Sequence, residues 1–423
     1  MRNTENINLT EEITLTKTIS SSQQGDYITL PFTIPEDVEE IRVQLSFTEP
    51  EANVIDLGVE DPQGFRGWSG GARREIFLRE DRATPGYELG EILPGEWGVI
   101  LNAYRVPKEC TVTAKVSIKR CEFEWYKGDL HLHSNHSDGA FTVSEVVDNV
   151  REAGLQFLAL TDHNTFSQNV QYPIVEDHAI IPGVELTTNK GHANFYGVPK
   201  PFLDFRCKTK EDVQEKWDEG IANGSIVSIN HPHCNFCPWE WGLDNFQVKV
   251  IEIWNGPWSQ HNHATLEWWD NQLQQGKRIV AIGGSDTHRQ HDHIKYGVPT
   301  TWINAVAHSP RKLLEGMGEG RVCVAASPKA PWVEIKLGDT GIGEIHQKDE
   351  QQGFLTLEVE FKEKMNGVFK VITNQGTVFQ EDLTDKSFLI PSCIPTTSLY
   401  IRVELWNQEL DEPIVISNPI YLR

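Results

Sequence analysis

Tyr126-Lys127-Gly128-Asp129-Leu130-His131-Leu132-His133-Ser134-Asn135-His136-Ser137-Asp138-Gly139 packs four potential metal ligands, His131, His133, His136 and Asp138, into eight residues. An apolar run leading into two histidines one residue apart reads as a strand. Residues i and i+2 of a strand share a face, so the two imidazoles project together and supply half of a metal site. The competing reading is a surface strand that happens to carry histidines. Histidine pairs followed by a loop acid are rare outside sites built for metals.

Downstream, from about residue 125 to about 328, the same rhythm repeats. Short apolar runs at Phe157 to Asp162, Ala179 to Glu185, Ala193 to Val198, Ile226 to His231, Val250 to Asn255 and Ile279 to Asp286 alternate with helical patterns. The helices carry start signals: Thr142-Val143-Ser144-Glu145 is a capping box, Thr209 stands three residues before Asp212, and Ser309-Pro310 is an N-cap followed by proline. Repeated strand–helix alternation predicts a parallel sheet, and about seven units predict a closed or nearly closed barrel. In such a barrel, active sites collect at the C-terminal ends of the strands. The ligand-type residues fall there: His131 and His133, Asp162-His163, Glu185, His192 at the opening of the fourth run, His231-Pro232-His233, and Ser285-Asp286-Thr287-His288. Any one of these reads as an ordinary strand-end residue. Their coincidence on successive strands points to one shared site, because concentrated histidines and carboxylates otherwise cost stability.

The ordered set His131-x-His133 with Asp138, Asp162-His163, Gly183-x-Glu185, His231-Pro232-His233 and Ser285-Asp286-x-His288 resembles the motifs of the polymerase and histidinol phosphatase superfamily. The resemblance implies a distorted seven-stranded β/α barrel holding two or three divalent metals. It implies that His131, His133, Glu185 and Asp286 hold a first metal, that Glu185 bridges to a second held by His192 and His231, and that Asp138, His163 and His288 hold a third. Many relatives have histidine where this chain has Asp138, and a carboxylate there alters the third site. His136 and His233 lie close to ligands along the chain and are candidates for substrate or outer-sphere contacts.

Outside the barrel the chain reads as all-β. Before about residue 124, Cys110, Val112, Ala114, Val116 and Ile118 alternate with polar residues, as do Ile41, Val43 and Leu45. Val54 to Val59 and Trp97 to Leu101 are further strands, together suggesting a small sandwich. Pro62 to Gly86, with Gly67-Trp68-Ser69-Gly70-Gly71-Ala72-Arg73-Arg74, reads as a long loop, either functional or a structural Ω-loop. With Ala83-Thr84-Pro85-Gly86-Tyr87 it makes this region similar to the N-terminal β-domain of metallohydrolases related to the carbaryl hydrolases. From about residue 329, Leu355, Leu357, Val359 and Phe361, then Leu399, Ile401, Val403 and Leu405, alternate again and predict a second small sandwich. The expected fold class is therefore α/β, with domains over 1–124, 125–328 and 329–423.

The 423 residues carry a net charge of −23 without a basic cluster, which argues against nucleic acid or an anionic membrane as partner. A small anionic substrate stays compatible, since bound cations supply local positive charge. The start, Met1 to Thr10, has no apolar h-region, no run is long enough to span a bilayer, and the seven cysteines show no framework spacing, so a reduced cytoplasm is the expectation. Cys234-Asn235-Phe236-Cys237 has zinc-type or redox spacing but stands alone, and reads as packing or incidental. An N-terminal sandwich could mediate a symmetric dimer.

Two cations a few ångströms apart activate a bridging water at neutral pH and stabilise oxygens that gain charge, so the bridging hydroxide is the expected nucleophile. Mixed histidine and carboxylate ligation suits Zn²⁺, Mn²⁺ or Fe²⁺. No nucleophile-elbow serine, phosphate-binding glycine loop or dinucleotide fingerprint occurs. General-acid candidates are His288, His233 and His192. Arg289 could meet an anionic group, or be a solvated loop residue. Within the sixth run, Glu252 and Trp254 share a face that reads as structural, while Asn255 and Trp254 could shape a pocket. The leading expectation is a phosphoesterase acting on a small molecule. A carbamate or carboxylic ester hydrolase is the second, and a non-catalytic binding protein the third.

Overall fold

The computed structural model describes residues 10–173, 175–291, 293–348, 353–392 and 394–423. The stretch read for a leader, up to Leu9, lies outside the described residues, as does Cys393. The chain divides into two compact units, Met1–Phe123 with Ile174–Glu176, and Glu124–Pro173 with Asp177–Arg423.

The first unit is built from two four-stranded sheets. One orders Thr10–Ile19, Cys110–Arg120, Val38–Phe47 and Glu75–Arg79, and the other Tyr27–Ile34, Gly95–Arg105, Val54–Asp61 and Gly64–Gly70. All neighbours are antiparallel. The period-2 pattern of Cys110 to Ile118 puts every second residue into one core with Ile41, Val43, Leu57, Val99 and Leu101. The stretch expected as a long loop instead supplies two strands, Gly64–Gly70 and Glu75–Arg79. Its glycines serve close approach rather than freedom. A Cβ on Gly67 (φ 151°) would sit 2.5 Å from Tyr87 Cα, and the Trp68 ring lies over Gly58, where a Cβ would meet it at 2.4 Å.

In the second unit, strands β1 (Glu124–Leu132), β2 (Phe157–Leu160), β3 (Ala179–Thr188), β4 (Gly191–Tyr196), β5 (Ile226–Ile229), β6 (Val250–Asn255) and β7 (Val280–Gly284) are hydrogen-bonded in chain order. Four α-helices occur among the described residues, α1 (Val143–Glu152), α2 (Lys210–Ala222), α3 (Gln260–Gln274) and α4 (Pro310–Gly318). The start signals act as expected: Thr142 and Thr209 accept from the N–H groups of Glu145 and Asp212, and Ser309 from that of Lys312. Helix α1 buries Val143, Val146, Val147 and Val150, a stripe at i, i+3, i+4 and i+7. Each such side chain contributes roughly 1.5–3 kcal/mol by leaving water.

The result is a mixed α/β protein around a curled sheet, and it departs from simple alternation in one instructive place. β4 runs antiparallel to both β3 and β5. Parallel neighbours need a crossover of about a dozen residues, and only Asn189 and Lys190 separate β3 from β4, so the chain makes a hairpin. Short 3₁₀ turns, Ser167–Val170 and Leu243–Asn245, stand where helices were expected before β3 and β6. The curl carries β7 back towards β1: Asp286 N–H donates to His131 C=O at 2.9 Å, and His133 N–H to Thr287 C=O at 3.2 Å. Gly284 permits this, because a Cβ there would lie 2.4 Å from His131 Cβ.

Beyond β1 the sheet continues through β8 (Thr300–Ala305) and β9 (Val322–Ala325) into Glu412–Ser417, Tyr400–Asn407, Glu358–Thr373 and Val333–Lys336. The C-terminal β region thus shares a sheet with the strands that carry the clustered histidines and carboxylates while burying a core of its own around Val333, Phe361, Phe369 and Val403. No described helix is long and apolar enough to cross a membrane.

Candidate metal centre

The C-terminal ends of parallel strands β1, β2, β3, β5 and β7 lie at one rim, and each delivers a ligand-type side chain there. Because β4 is antiparallel, its beginning reaches the same rim, which is why His192 opens a strand rather than closing one. His231 (φ 29°) and Asp286 (φ 54°) turn off their strands in the left-handed region. Non-glycine residues hold that conformation at a cost of order 1–3 kcal/mol and only where the surroundings fix it.

Glu185, fully buried, is the hub. Its Oε1 lies 3.3 Å from His131 Nε2, 3.2 Å from His192 Nδ1 and 3.6 Å from His231 Nε2. Its Oε2 lies 2.7 Å from His163 Nδ1 and 3.5 Å from His133 Nε2. Asp286 Oδ1 lies 3.0 Å from His133 Nε2 and 3.4 Å from His131 Nε2. At the outer end, the exposed Asp138 approaches His288 Nε2 at 3.2 Å and His163 Nε2 at 3.6 Å. Ligand atoms therefore converge in overlapping sets: His131, His133 and Asp286; His131, Glu185 and His231; His163, Glu185 and His192; and His133, Asp138, His163 and His288. All the ligands expected from sequence fall in one cluster, and His133 adjoins the outer set as well as the inner one.

The cluster is strongly coupled. Burial disfavours charge on His131, but Asp286, Glu252 and Glu185 outweigh it and hold the imidazole well above its ordinary range. Burial likewise opposes ionisation of Glu185 and Asp286, and neighbouring histidines, His131 foremost, hold both carboxyls well below theirs. For His133 burial wins and the imidazole is lowered.

Other side chains fix the first ones. Glu252 accepts from His131 Nδ1 at 2.9 Å, from His231 N–H at 3.0 Å and from Asn255 Nδ2 at 3.1 Å. It is an orienting carboxylate rather than the purely structural residue its strand face suggested. The signal was in the sequence: a charge within the buried run Val250–Trp254 must have partners. Asn230 donates to Glu185 Oε1 at 2.8 Å. Asp162 accepts from Ser134 N–H and Oγ, which pins the loop after His133. Asp129, buried beneath β1, accepts from the N–H groups of His131, Ser285 and Gly297, and burial raises its carboxyl to about 6.

Of the remaining candidates, His288 is inside the cluster, while His233, His136 and Arg289 are not. His233 Nδ1 pairs with Thr265 Oγ1 at 3.0 Å, His136 Nδ1 with Ser167 Oγ at 2.7 Å, and Arg289 is exposed. Among the described residues, no lysine or arginine pairs with Asp138, Glu185 or Asp286.

The donor set suits divalent cations. His131 Nε2, both ring nitrogens of His133, Glu185 Oε2 and Asp286 Oδ1 are sealed from solvent without an aligned hydrogen-bond partner. Buried polar atoms in that condition cost about 1–3 kcal/mol each, and several aimed at one point fit a bound cation. Mixed imidazole and carboxylate donors suit Zn²⁺, Mn²⁺ or Fe²⁺.

Residues 129–222 match the PHP domain. Over 50 residues, 12% of this chain, the sequence is 44% identical to the DNA polymerase/3'-5' exonuclease PolX of Bacillus subtilis, and the matched part spans 9% of that protein. Among solved structures, the chain is similar to a two-domain protein of Bacteroides vulgatus containing a predicted PHP-like metal-dependent phosphoesterase (18% identity, TM-score 0.42, 70% of this chain and 96% of the other). It is also similar to an amidohydrolase from Chromobacterium violaceum (17% identity, TM-score 0.29, 40% and 89%).

Proposed function

We propose that this chain is a multinuclear metal-dependent hydrolase, and specifically a phosphoesterase acting on a small molecule. The observation that carries the reading is Glu185, whose two oxygens face different imidazoles at the centre of a buried histidine–carboxylate cluster. In this reading the curled sheet is a distorted seven-stranded β/α barrel. His131, His133 and Asp286 would hold one cation, Glu185 with His192 and His231 a second, and His163, His288 and Asp138 a third. Bound divalent cations would supply an activated water at neutral pH and stabilise oxygens that gain charge.

The chain's own residues do the rest. Glu252 and Asn230 orient His131 and Glu185, so that donor atoms are aimed before substrate arrives. His288, half-buried at the open end, is the proton donor to the leaving oxygen if its Nε2 is free of cation. His233, outside the cluster and paired with Thr265, can contact the substrate's leaving group, and Arg289 an anionic one.

A second reading, hydrolysis of a carbamate or carboxylic ester, is supported by Gly67-Trp68-Ser69-Gly70-Gly71-Ala72-Arg73 and Ala83-Thr84-Pro85-Gly86-Tyr87, which resemble the N-terminal β-domain of metallohydrolases related to the carbaryl hydrolases. The deciding experiment is metal analysis followed by assay. Purified without chelators, the protein should carry at least one cation per chain, and less would remove the enzyme reading. With added Mn²⁺, turnover of p-nitrophenyl phosphate or its diester supports the phosphoesterase. Turnover of 1-naphthyl acetate alone supports the second reading.

A further inference from the structure

The Cys-x-x-Cys pair that reads from sequence as packing or incidental sits directly against the candidate centre. Cys234 and Cys237 are partly exposed, with their sulfurs 3.5 Å apart. Cys237 Sγ also lies 3.5 Å from His231 Nδ1. The other ring nitrogen of His231, Nε2, faces Glu185 and Asp286 at 3.6 and 3.9 Å. The imidazole therefore bridges the sulfur pair and the cluster. With the Nδ1 proton shared with sulfur, the Nε2 lone pair is directed inward, the tautomer a ligand needs. Cys234 Sγ accepts from Phe236 N–H at 3.4 Å and from the Cys237 thiol, two hydrogen bonds that favour negative charge on that sulfur. Phe236, between them, is 95% exposed, so the turn is open to small reagents.

We propose that Cys234 and Cys237 are a redox-active pair, and that closing their disulfide withdraws Cys237 from His231 and loosens that imidazole. The consequence for cation binding rests on the functional reading above. A disulfide bond is about 2.05 Å long, so the sulfurs must approach by about 1.5 Å, within reach of a turn. The oxidant is a low-molecular-weight disulfide. The Cys234 thiolate attacks it, breaking its S–S bond, releasing one thiol and leaving a mixed disulfide on Cys234. Cys237 then attacks Cys234 sulfur, forming the intramolecular bond and releasing the second thiol. Two electrons and two protons end on the two released thiols. A disulfide sulfur is a poor acceptor, so His231 Nδ1 loses its partner and the inward tautomer is no longer fixed.

The test uses the full chain labelled with ¹⁵N-histidine, treated with oxidised glutathione and then dithiothreitol. Peptide mapping reads the Cys234–Cys237 bond, and long-range ¹H–¹⁵N spectra, assigned with His231→Gln, read the His231 tautomer. The bond should form, the His231 nitrogen signals should move, and both should revert on reduction. In Cys234→Ser, oxidised glutathione should leave the His231 signals as they are in the untreated variant. The proposal is overturned if both thiols stay free, or if the bond forms while the His231 signals stay in place. Zinc titration adds the functional consequence, a dissociation constant about 10- to 100-fold weaker in the oxidised protein. Reduced protein that takes up no zinc would count against the hydrolase reading alone, since neither spectroscopic nor mapping readout uses a cation.

Discussion

Replacing Glu252 by glutamine changes one proton-accepting oxygen for an amide and leaves the shape intact, and its consequence can be followed atom by atom. Oε1 accepts from His131 Nδ1, while Oε2 accepts from His231 N–H and Asn255 Nδ2. A glutamine keeps one acceptor oxygen. Placed on the Oε2 side it preserves two hydrogen bonds and turns its NH₂ towards His131. The imidazole relieves the donor–donor clash by moving its proton from Nδ1 to Nε2, the nitrogen that faces Glu185 and Asp286. A protonated Nε2 cannot ligate. Cation affinity should then fall about 10- to 100-fold, equivalent to about 1.4–2.7 kcal/mol. The fold should survive, because no cavity opens. Glu252→Ala should instead lose stability as well, since it strands two buried donors, His131 Nδ1 and His231 N–H, at about 1–3 kcal/mol each. Isothermal titration of the metal-stripped variants with Zn²⁺, beside thermal unfolding, separates the two effects. Glu252→Gln with the affinity of the parent protein would refute the assigned role of Glu252 and the tautomer argument with it.

Asp286→Ala should lower turnover about a thousandfold or more, the scale of losing several kcal/mol of charge stabilisation, with an unchanged circular dichroism spectrum; substantial residual activity would argue against its place in the centre. Under graded chelator, cation at the Asp138 end should leave first, because the Asp138 side chain is 62% exposed whereas Glu185 and His133 are fully buried; simultaneous loss in elemental analysis would contradict this. Trp97→Ala should destabilise the N-terminal sandwich by about 3–5 kcal/mol, since the ring is buried beneath Arg66 and its Nε1 donates to Leu93 C=O at 2.8 Å. Hydrogen exchange in peptides from residues 10–123 reads that change.

Which side chains gather at the rim was legible from sequence because strand ends combine a strong periodic signal with residue types that have few other reasons to cluster. The His131 and His133 pair, Glu185 and Asp286 declare themselves in this way. Three things were hidden. The hairpin after Thr188 looked like another crossover, because apolar runs report burial but not direction, and only the short gap of seven residues between Glu185 and Ala193 spoke against it. Glycine-rich Gly67 to Gly71 looked like a loop, because glycine serves close approach as well as flexibility, and only the partner, here Tyr87, decides between them. The outer layer around the ligands, Asn230, Glu252 and Cys237, depends on contacts between strands that one sequence does not pair. Glu252 was the exception, since a carboxylate inside a buried run demanded a partner whose identity alone was missing.

The antiparallel turn at Asn189 and Lys190 has a consequence for how this chain can change over time. Loops are usually where proteins accept insertions and deletions most freely. Here one added residue would shift the pairing that sets Thr187 opposite His192 and turn alternate side chains to the other face. Gly191 is also hemmed in, with a Cβ there placed 2.7 Å from Trp239 Cα. The shortest connection in the rim is therefore the one whose length is held fixed, and variation in length should accumulate in the other connections of the rim.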